Sequence, residues 1–372
     1  MREHCAHARF VWNLAVEQHT WWTPRRGTAP SFANQCRQLT EARAAEPWLR
    51  AGPVNVQQQA LRDFWRAKTA YFQSGFGHPA WRRKHKHEGF RITDTCKVRR
   101  LNRKWAEVKV PKVGWVRFRL TTPLPEAKSY RVTFRNYQWH VAFAVIPEPI
   151  PGPGTGEVVG IDRGVAITAA LSDGRKLNCP QLTARERAAI RKHQRRAARA
   201  PKGGERKGRE YAAAARIKAR EASRRKDWVE KTSTMLARDY DVIRFEKLTI
   251  RNMTARPAPK PDPDRPGAFL PNRASAKAGL NRVILAAGWG MLRQRTGDKA
   301  PGRVQDVPAP YTSLRCSACG WISKNSRESQ AVFCCVNCGF TCNADTNAAV
   351  NIAAGHAGRT PPGVREPTVS AA

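Results

Sequence analysis

The sequence predicts a two-part α+β protein, on three observations. Helical periodicity fills the first 72 residues and then gives way to short strand-like alternations. A proline- and glycine-rich stretch, PEPIPGPGTG at 147–156, divides the chain. After it come apolar strands, long Ala-rich helical stretches and a cysteine-rich insert. A length of 372 residues is enough for two or three domains with a sizeable core.

In the first part, ARFVWNLAVEQ sets Phe10, Val11 and Leu14 near one helical face, and Leu61, Phe64, Trp65 and Phe72 repeat the pattern after Pro53. GFGHPAWRRKHKHEGFR (75–91) breaks it, mixing cations with rings such as Trp81 and Phe90 that suit phosphates and bases. Alternations at Trp105–Val110, Trp115–Leu120, Tyr130–Arg135 and Trp139–Ile146 suggest a small β-barrel or sandwich with the helices alongside. In the second part, EVVGIDRGVAITAALSDGRKL is an apolar strand, a tight turn and a second strand, and DYDVIRFEKL is another buried-type strand. A loop with six prolines (257–271) follows, then a helix around Leu280–Arg295, the cysteine-rich insert and a short Ala/Asn-rich helix. The tail HAGRTPPGVREPTVSAA has the composition of a disordered segment.

Charge narrows the partners. Lys and Arg number 67 against 29 Asp and Glu, a formal net charge of +38. Such an excess suits a chain that lies along a polyanion and displaces its counterions. Residues 185–226 concentrate it, with 17 Lys or Arg against 4 acids. Like charges that dense repel one another on a helix, and a phosphate backbone relieves them. No apolar window approaches the roughly 18–20 residues a membrane span needs, no basic amphipathic helix stands out, and MREHCAHARF lacks the apolar core of a secretory signal. No membrane partner and a cytoplasmic, nucleoid-associated protein are therefore expected.

Ten cysteines in such a chain read as metal ligands rather than a disulfide framework. CSACG (Cys316, Cys319) and CVNCG (Cys335, Cys338) are two CxxC knuckles joined by a 15-residue loop, the spacing that gathers four thiolates around structural Zn²⁺. Cys334 adjoins Cys335, but only Cys335 stands two residues from Cys338. Three acids sit where apolar elements end: Asp162 after VVGI, Glu246 after VIRF, and Asp345 near a helix start. Together they can hold two Mg²⁺ ions for phosphodiester hydrolysis. Singly, each has a plainer account: a turn residue, a surface ion pair and a helix N-cap. The strand pattern fits an RNase H-like sheet.

In order, GIDRGV, FEKLTIRNM, CSACG…CVNCG and ADTNAAVNI resemble the TnpB (OrfB) family, transposon-encoded relatives of the compact type V CRISPR nucleases. ARFVWNLAVEQ, VNVQQQALRDFWRAK and AGLNRVILAAGWGMLRQ extend the resemblance over nearly the whole chain. It implies a β-barrel wedge domain with a helical recognition region over 1–150. It further implies a RuvC-like nuclease domain over 155–311 and 343–356, a zinc ribbon insert over 312–342 and a disordered tail over 357–372. Asp162, Glu246 and Asp345 match the family's three catalytic, metal-binding acids, and Cys316, Cys319, Cys335 and Cys338 its ribbon ligands. The implied activity is guide-RNA-directed, metal-dependent cleavage of double-stranded DNA beside a short adjacent motif. The cofactors are two Mg²⁺ or Mn²⁺ ions and structural Zn²⁺, and the guide RNA comes from the transposon end. The competing expectations are an RNA/DNA-binding relative with impaired catalysis that acts in regulation, and a CRISPR effector. A transposase proper finds no support, since no His-x-His pair is flanked by apolar residues. Family members usually carry a first β-strand ahead of the ARFVWN segment, whereas Met1 lies only nine residues before Phe10. The expectation is a late-called start or a wedge short of one strand.

Overall fold

The computed structural model describes residues 1–355 except 24, 26, 87, 94, 95, 136, 137 and 266. The predicted disordered tail therefore lies outside the described residues. The chain divides into two compact units, Met1–Ile146 and Pro147–Ala372. No helix among the described residues is long and apolar enough to cross a membrane.

The first unit opens with four helices: α1 (Arg2–Trp21), α2 (Phe32–Ala45), α3 (Pro47–Ala51) and α4 (Val54–Ser74). Ser31 caps α2 by accepting from the Asn34 N–H, and Gly75, left-handed at φ 64°, stops α4. Helices α1 and α4 pack through buried Val11, Trp12, Ala15, Leu61 and Phe64, with the Trp12 and Phe64 rings edge-on at 5.7 Å. Six strands follow: β1 (Gly89–Thr93), β2 (Val98–Arg100), β3 (Trp105–Val110), β4 (Gly114–Arg119), β5 (Ser129–Arg135) and β6 (Gln138–Ala144). They form two antiparallel sheets, β1-β5-β6 and β2-β3-β4. No ladder joins the two among the described residues. Both share one core through Ile92, Val108, Val110, Tyr130 and Val132, and the Tyr130 hydroxyl donates to Lys109 O at 2.7 Å. Neither β1 nor β2 followed from the sequence pattern: β1 begins at the end of the cation-rich 75–91 stretch, and β2 is three residues long, two of them Arg.

In the second unit a five-stranded sheet is ordered β13-β10-β7-β8-β9, from β7 (Val158–Asp162), β8 (Ala169–Leu171), β9 (Lys176–Leu177), β10 (Val242–Lys247) and β13 (Val304–Pro308). The pairs β7–β10 and β10–β13 are parallel, and β7–β8 and β8–β9 antiparallel. Between β9 and β10 run α5 (Ala184–Arg199) and the 35-residue α6 (Glu205–Asp239), α5 starting at a Thr183/Glu186 capping box. A short α7 (Ile250–Met253) and the small pair β11 (Lys260–Pro261) and β12 (Phe269–Leu270) lead to α8 (Ala274–Ala287) and α9 (Trp289–Lys299). The single helix expected around 280–295 is in fact two, because Gly288 adopts φ 73° between them. Strand β13 had no sequence signal. VQDVP carries an acid and a proline, tolerated because it is an edge strand with Pro308 at its end. The hairpin β14 (Val332–Cys334) and β15 (Thr341–Asn343) runs into α10 (Ala344–Ala353).

Alternation sorts the sheet's two faces. Val159, Ile161, Ile243 and Phe245 join Leu236 and Ala237 of α6 and Leu292 of α9 in one core. The intervening residues Gly160, Asp162, Arg244 and Glu246 point to the other face. That face is covered by α10: the Arg244 guanidinium donates to Ala353 O, and a Cβ on Gly160 would lie 2.0 Å from Ala349 O.

Candidate functional site

Asp162 is the last residue of β7 and Glu246 the next-to-last of β10. Each stands one residue beyond the parallel pair Ile161–Phe245, so the two are neighbours at the C-terminal ends of adjacent strands. Asp345 is the second residue of α10, whose N-cap is Asn343, with its Oδ1 accepting from Thr346 N at 3.3 Å. The capping account of Asp345 is thus taken by its neighbour, which leaves the Asp345 carboxylate for other contacts. Gly160 governs the approach of α10, since a Cβ there would also lie 2.3 Å from Ala353 N. A helix backbone resting on a strand backbone brings Asp345 to Asp162.

The electrostatics record that convergence. Burial, then the negative charges of Glu246 and Asp345, push the Asp162 carboxyl up to about 7, against a smaller opposing pull from Arg327. Burial also raises Glu246, partly offset by the Arg163 guanidinium and by Thr312, whose hydroxyl lies 3.4 Å from Glu246 Oε1. Arg327 approaches Asp345 Oδ1 at 3.7 Å. Arg163 is buried, donates to Glu246 O and lies over the Phe245 ring at 5.4 Å. Desolvation lowers its own pKa to about 10.

The cysteines gather more tightly. The sulfurs of Cys316, Cys319, Cys335 and Cys338 all lie within 4.8 Å of one another, and among the described residues no other set of three or more His, Cys, Asp or Glu meets that test. Cys334 stays outside it. Each knuckle is closed by backbone bonds, Gly320 N to Cys316 O and Gly339 N to Cys335 O, both 2.9 Å, with the glycines at φ 78° and 74°. Four thiolates in a closed tetrahedral arrangement fit a structural Zn²⁺ and leave no position for substrate. The three carboxylates offer only hard oxygen donors, which fit Mg²⁺ or Mn²⁺.

Two residues missed by the sequence reading couple these centres. Asn347 and Asn351, both buried on α10, donate to Arg315 O at 2.7 and 2.8 Å, and Asn351 donates also to Thr312 O at 2.9 Å. Asn347 Oδ1 accepts from Ser317 N at 2.9 Å. One asparagine ladder thereby ties the first knuckle to the helix that carries Asp345. The signal was present as asparagines four residues apart in NADTNAAVNIAAG, but polar residues on a short helix also read as solvated. Gly160, Arg163 and Arg327 carried no sequence signal of their roles, since each depends on a partner far along the chain.

The fold and these groups define a class: a mixed α+β, strongly basic chain with a four-cysteine cluster built in next to converging carboxylates. Residues 140–256 match the OrfB family model described as "Probable transposase", and 289–352 match the "Cas12f1-like, TNB domain" model. The chain is 30% identical over 370 residues to the "Putative RNA-guided DNA endonuclease InsQ" of Escherichia coli K12, spanning 96% of this chain and 89% of the relative. It is 30% identical over 364 residues to a "Putative RNA-guided DNA endonuclease" of Streptomyces pristinaespiralis, spanning 93% and 83% of the two chains. The chain belongs to the TnpB (OrfB) family. The fold is similar to that of the protein in a Cas12f1–sgRNA–target DNA complex, with a TM-score of 0.58 at 12% identity over 95% of this chain and 81% of that one.

Proposed function

We propose that the chain is a guide-RNA-directed, divalent-metal-dependent DNA endonuclease, with Asp162, Glu246 and Asp345 as its metal-binding acids. The observation that carries this proposal is the approach of Glu246 and Asp345, from two other elements, to the half-buried Asp162 carboxylate, in a chain whose relatives are named RNA-guided DNA endonucleases. Supporting it, the sheet order β9-β8-β7-β10-β13, antiparallel through β7 and parallel after it, fits the RNase H-like (RuvC) domain of this reading. In this reading the nuclease domain covers 155–311 and 343–356, the zinc ribbon 312–342, and the wedge and recognition region 1–150. The guide RNA derives from the transposon end, and double-stranded DNA is the target.

The division of labour follows from the geometry. Asp162 and Glu246 present oxygens from the rigid ends of two paired strands, and Asp345 from a helix held against them by Gly160. These three carboxylates would hold Mg²⁺ or Mn²⁺, which would supply Lewis-acid activation of water and charge neutralisation at a phosphodiester. Thr312 orients the Glu246 carboxylate, and Arg163 fixes the backbone that bears it. Arg327 supplies a positive charge beside Asp345 where a phosphate would approach. The basic α5–α6 hairpin lies along the guide–target duplex by backbone contact, leaving sequence to base pairing.

The test begins with the protein expressed from its native locus and the RNA that copurifies with it. A discrete RNA from the transposon end and cleavage of a matching DNA are expected. Asp162→Ala should retain that RNA and lose cleavage by roughly 10³-fold or more. Undiminished cleavage by Asp162→Ala would overturn the assignment.

A further inference from the structure

We propose that the outer face of the β2-β3-β4 sheet is a stacking platform for unpaired nucleobases, with Trp105 and Trp115 as its rings. Strand alternation separates two faces. On the inner one Ala106, Val108 and Val110 are at most 2% exposed, whereas Trp105 and Trp115 on the outer one are 37% and 39% exposed. Two partly exposed indoles sharing one sheet face, rather than one ring scattered singly, offer a surface for a ligand.

Register places both rings on the outer face. Trp105 is opposite Arg119, Glu107 opposite Arg117 and Lys109 opposite Trp115. The two rings are thus four residues apart along the ladder, about 13 Å. Each ring is held by a guanidinium: Arg117 Cζ lies 5.1 Å from the Trp105 centroid and Arg99 Cζ 4.3 Å from that of Trp115. Cation–π contacts fix ring orientation at little cost and place positive charge where a phosphate would pass. The three strands carry five Arg or Lys and one acid, Glu107, which Arg99 neutralises at 2.7 Å. Rings interleaved with cations on an open sheet match the chemistry of a single strand with its bases splayed out, and suit neither an apolar peptide nor a duplex read through its backbone alone.

This inference rests on the proposed function only for the presence of a nucleic acid strand; it involves none of the three acids. The full chain, freed of RNA, is titrated by fluorescence anisotropy against labelled oligouridine and oligothymidine about 12 nucleotides long. Salt is held at ~0.5 M, where phosphate contacts fade and stacking persists. Trp105→Leu/Trp115→Leu should bind roughly 10–100-fold more weakly, while Trp105→Phe/Trp115→Phe, which keeps the stacking surface, should stay within about 3-fold of wild type. Ultraviolet crosslinking of the unmutated protein should label the peptide spanning 103–119, a readout independent of how the Leu variant folds. The ratio of the two oligonucleotide affinities tells whether the strand is RNA or DNA. Equal binding by the Leu and wild-type proteins, or crosslinks confined to other peptides, would overturn the platform and leave the nuclease proposal standing. Crosslinks at 103–119 with no guided cleavage would leave the platform and remove the nuclease.

Discussion

The cysteine quartet and the carboxylate cluster lie on the same unit and solve opposite problems. The quartet is local: its ligands fall within 23 residues, from Cys316 to Cys338, and two glycine-closed knuckles set its geometry. The carboxylates come from β7, β10 and α10, and nothing in the chain near any one of them fixes its distance to the others. A local site is specified by spacing and a dispersed one by packing. The first therefore depends on its knuckles and the few residues packed on them, such as Phe333, while the second depends on distant backbone contacts such as that of Gly160 with Ala349.

The largest effect is expected at the quartet. Cys335→Ser should abolish zinc binding and unfold the insert, a loss on the order of 10 kcal/mol of metal-coupled folding energy. Elemental analysis should fall from one zinc per chain to near none, with new protease cuts inside 312–342. An insert that remained protease-resistant without zinc would show that its backbone bonds suffice.

Gly160→Ala comes next. Its methyl would collide with three backbone atoms of α10, which cannot move aside as a flexible side chain would. A destabilisation of roughly 2–4 kcal/mol is expected from denaturant melts, with zinc content unchanged. Asn351→Ala should be milder. It removes the Asn351 donor from Thr312 O at the junction of knuckle and helix, while Arg315 O keeps Asn347, a loss of about 1–3 kcal/mol. Both variants separate the centres, keeping the quartet while loosening the helix that carries Asp345.

The smallest effect is on stability against pH. Asp162 has a folded-state pKa near 7, above the unfolded carboxylate value, so the folded chain binds the extra proton between roughly pH 4 and 7. Its contribution to stability is therefore greatest at low pH and declines as pH rises through 7. Asp162→Asn, with no charge to bury, should raise the melting temperature at pH 8 in chelated buffer by an amount equivalent to about 1–3 kcal/mol, with the gain shrinking toward pH 5. A variant that melted lower than wild type at pH 8 would contradict the crowding of like charges.

Legibility followed the same division. The quartet was readable because thiolate spacing is itself the geometry, and the structure selects Cys335 over Cys334 as the spacing did. The three acids were readable only in combination, since a strand-end Asp or a helix-start Asp has an ordinary account until its partners are known. The mixed α+β character and the four strands between Trp105 and Ile146 followed from alternation. Strands β1, β2 and β13 did not, being short or edge segments whose residues answer to neighbours rather than to a periodic pattern. Gly160, Arg163, Asn347 and Asn351 lay beyond sequence reasoning for one reason: each acts through a contact set only when the chain closes on itself.

Gly160 also carries a lesson for engineering. Because strand and helix meet there backbone to backbone, the separation between Asp162 and Asp345 is set as by a gauge block, by a hydrogen atom that no other amino acid can replace. A mutagenesis library aimed at the proposed nuclease site should hold this position constant and vary instead Arg244, which bonds the end of α10, and Gln305, which holds Arg244. Changes there act on the helix through a side-chain hydrogen bond and leave the Gly160 backbone contact intact.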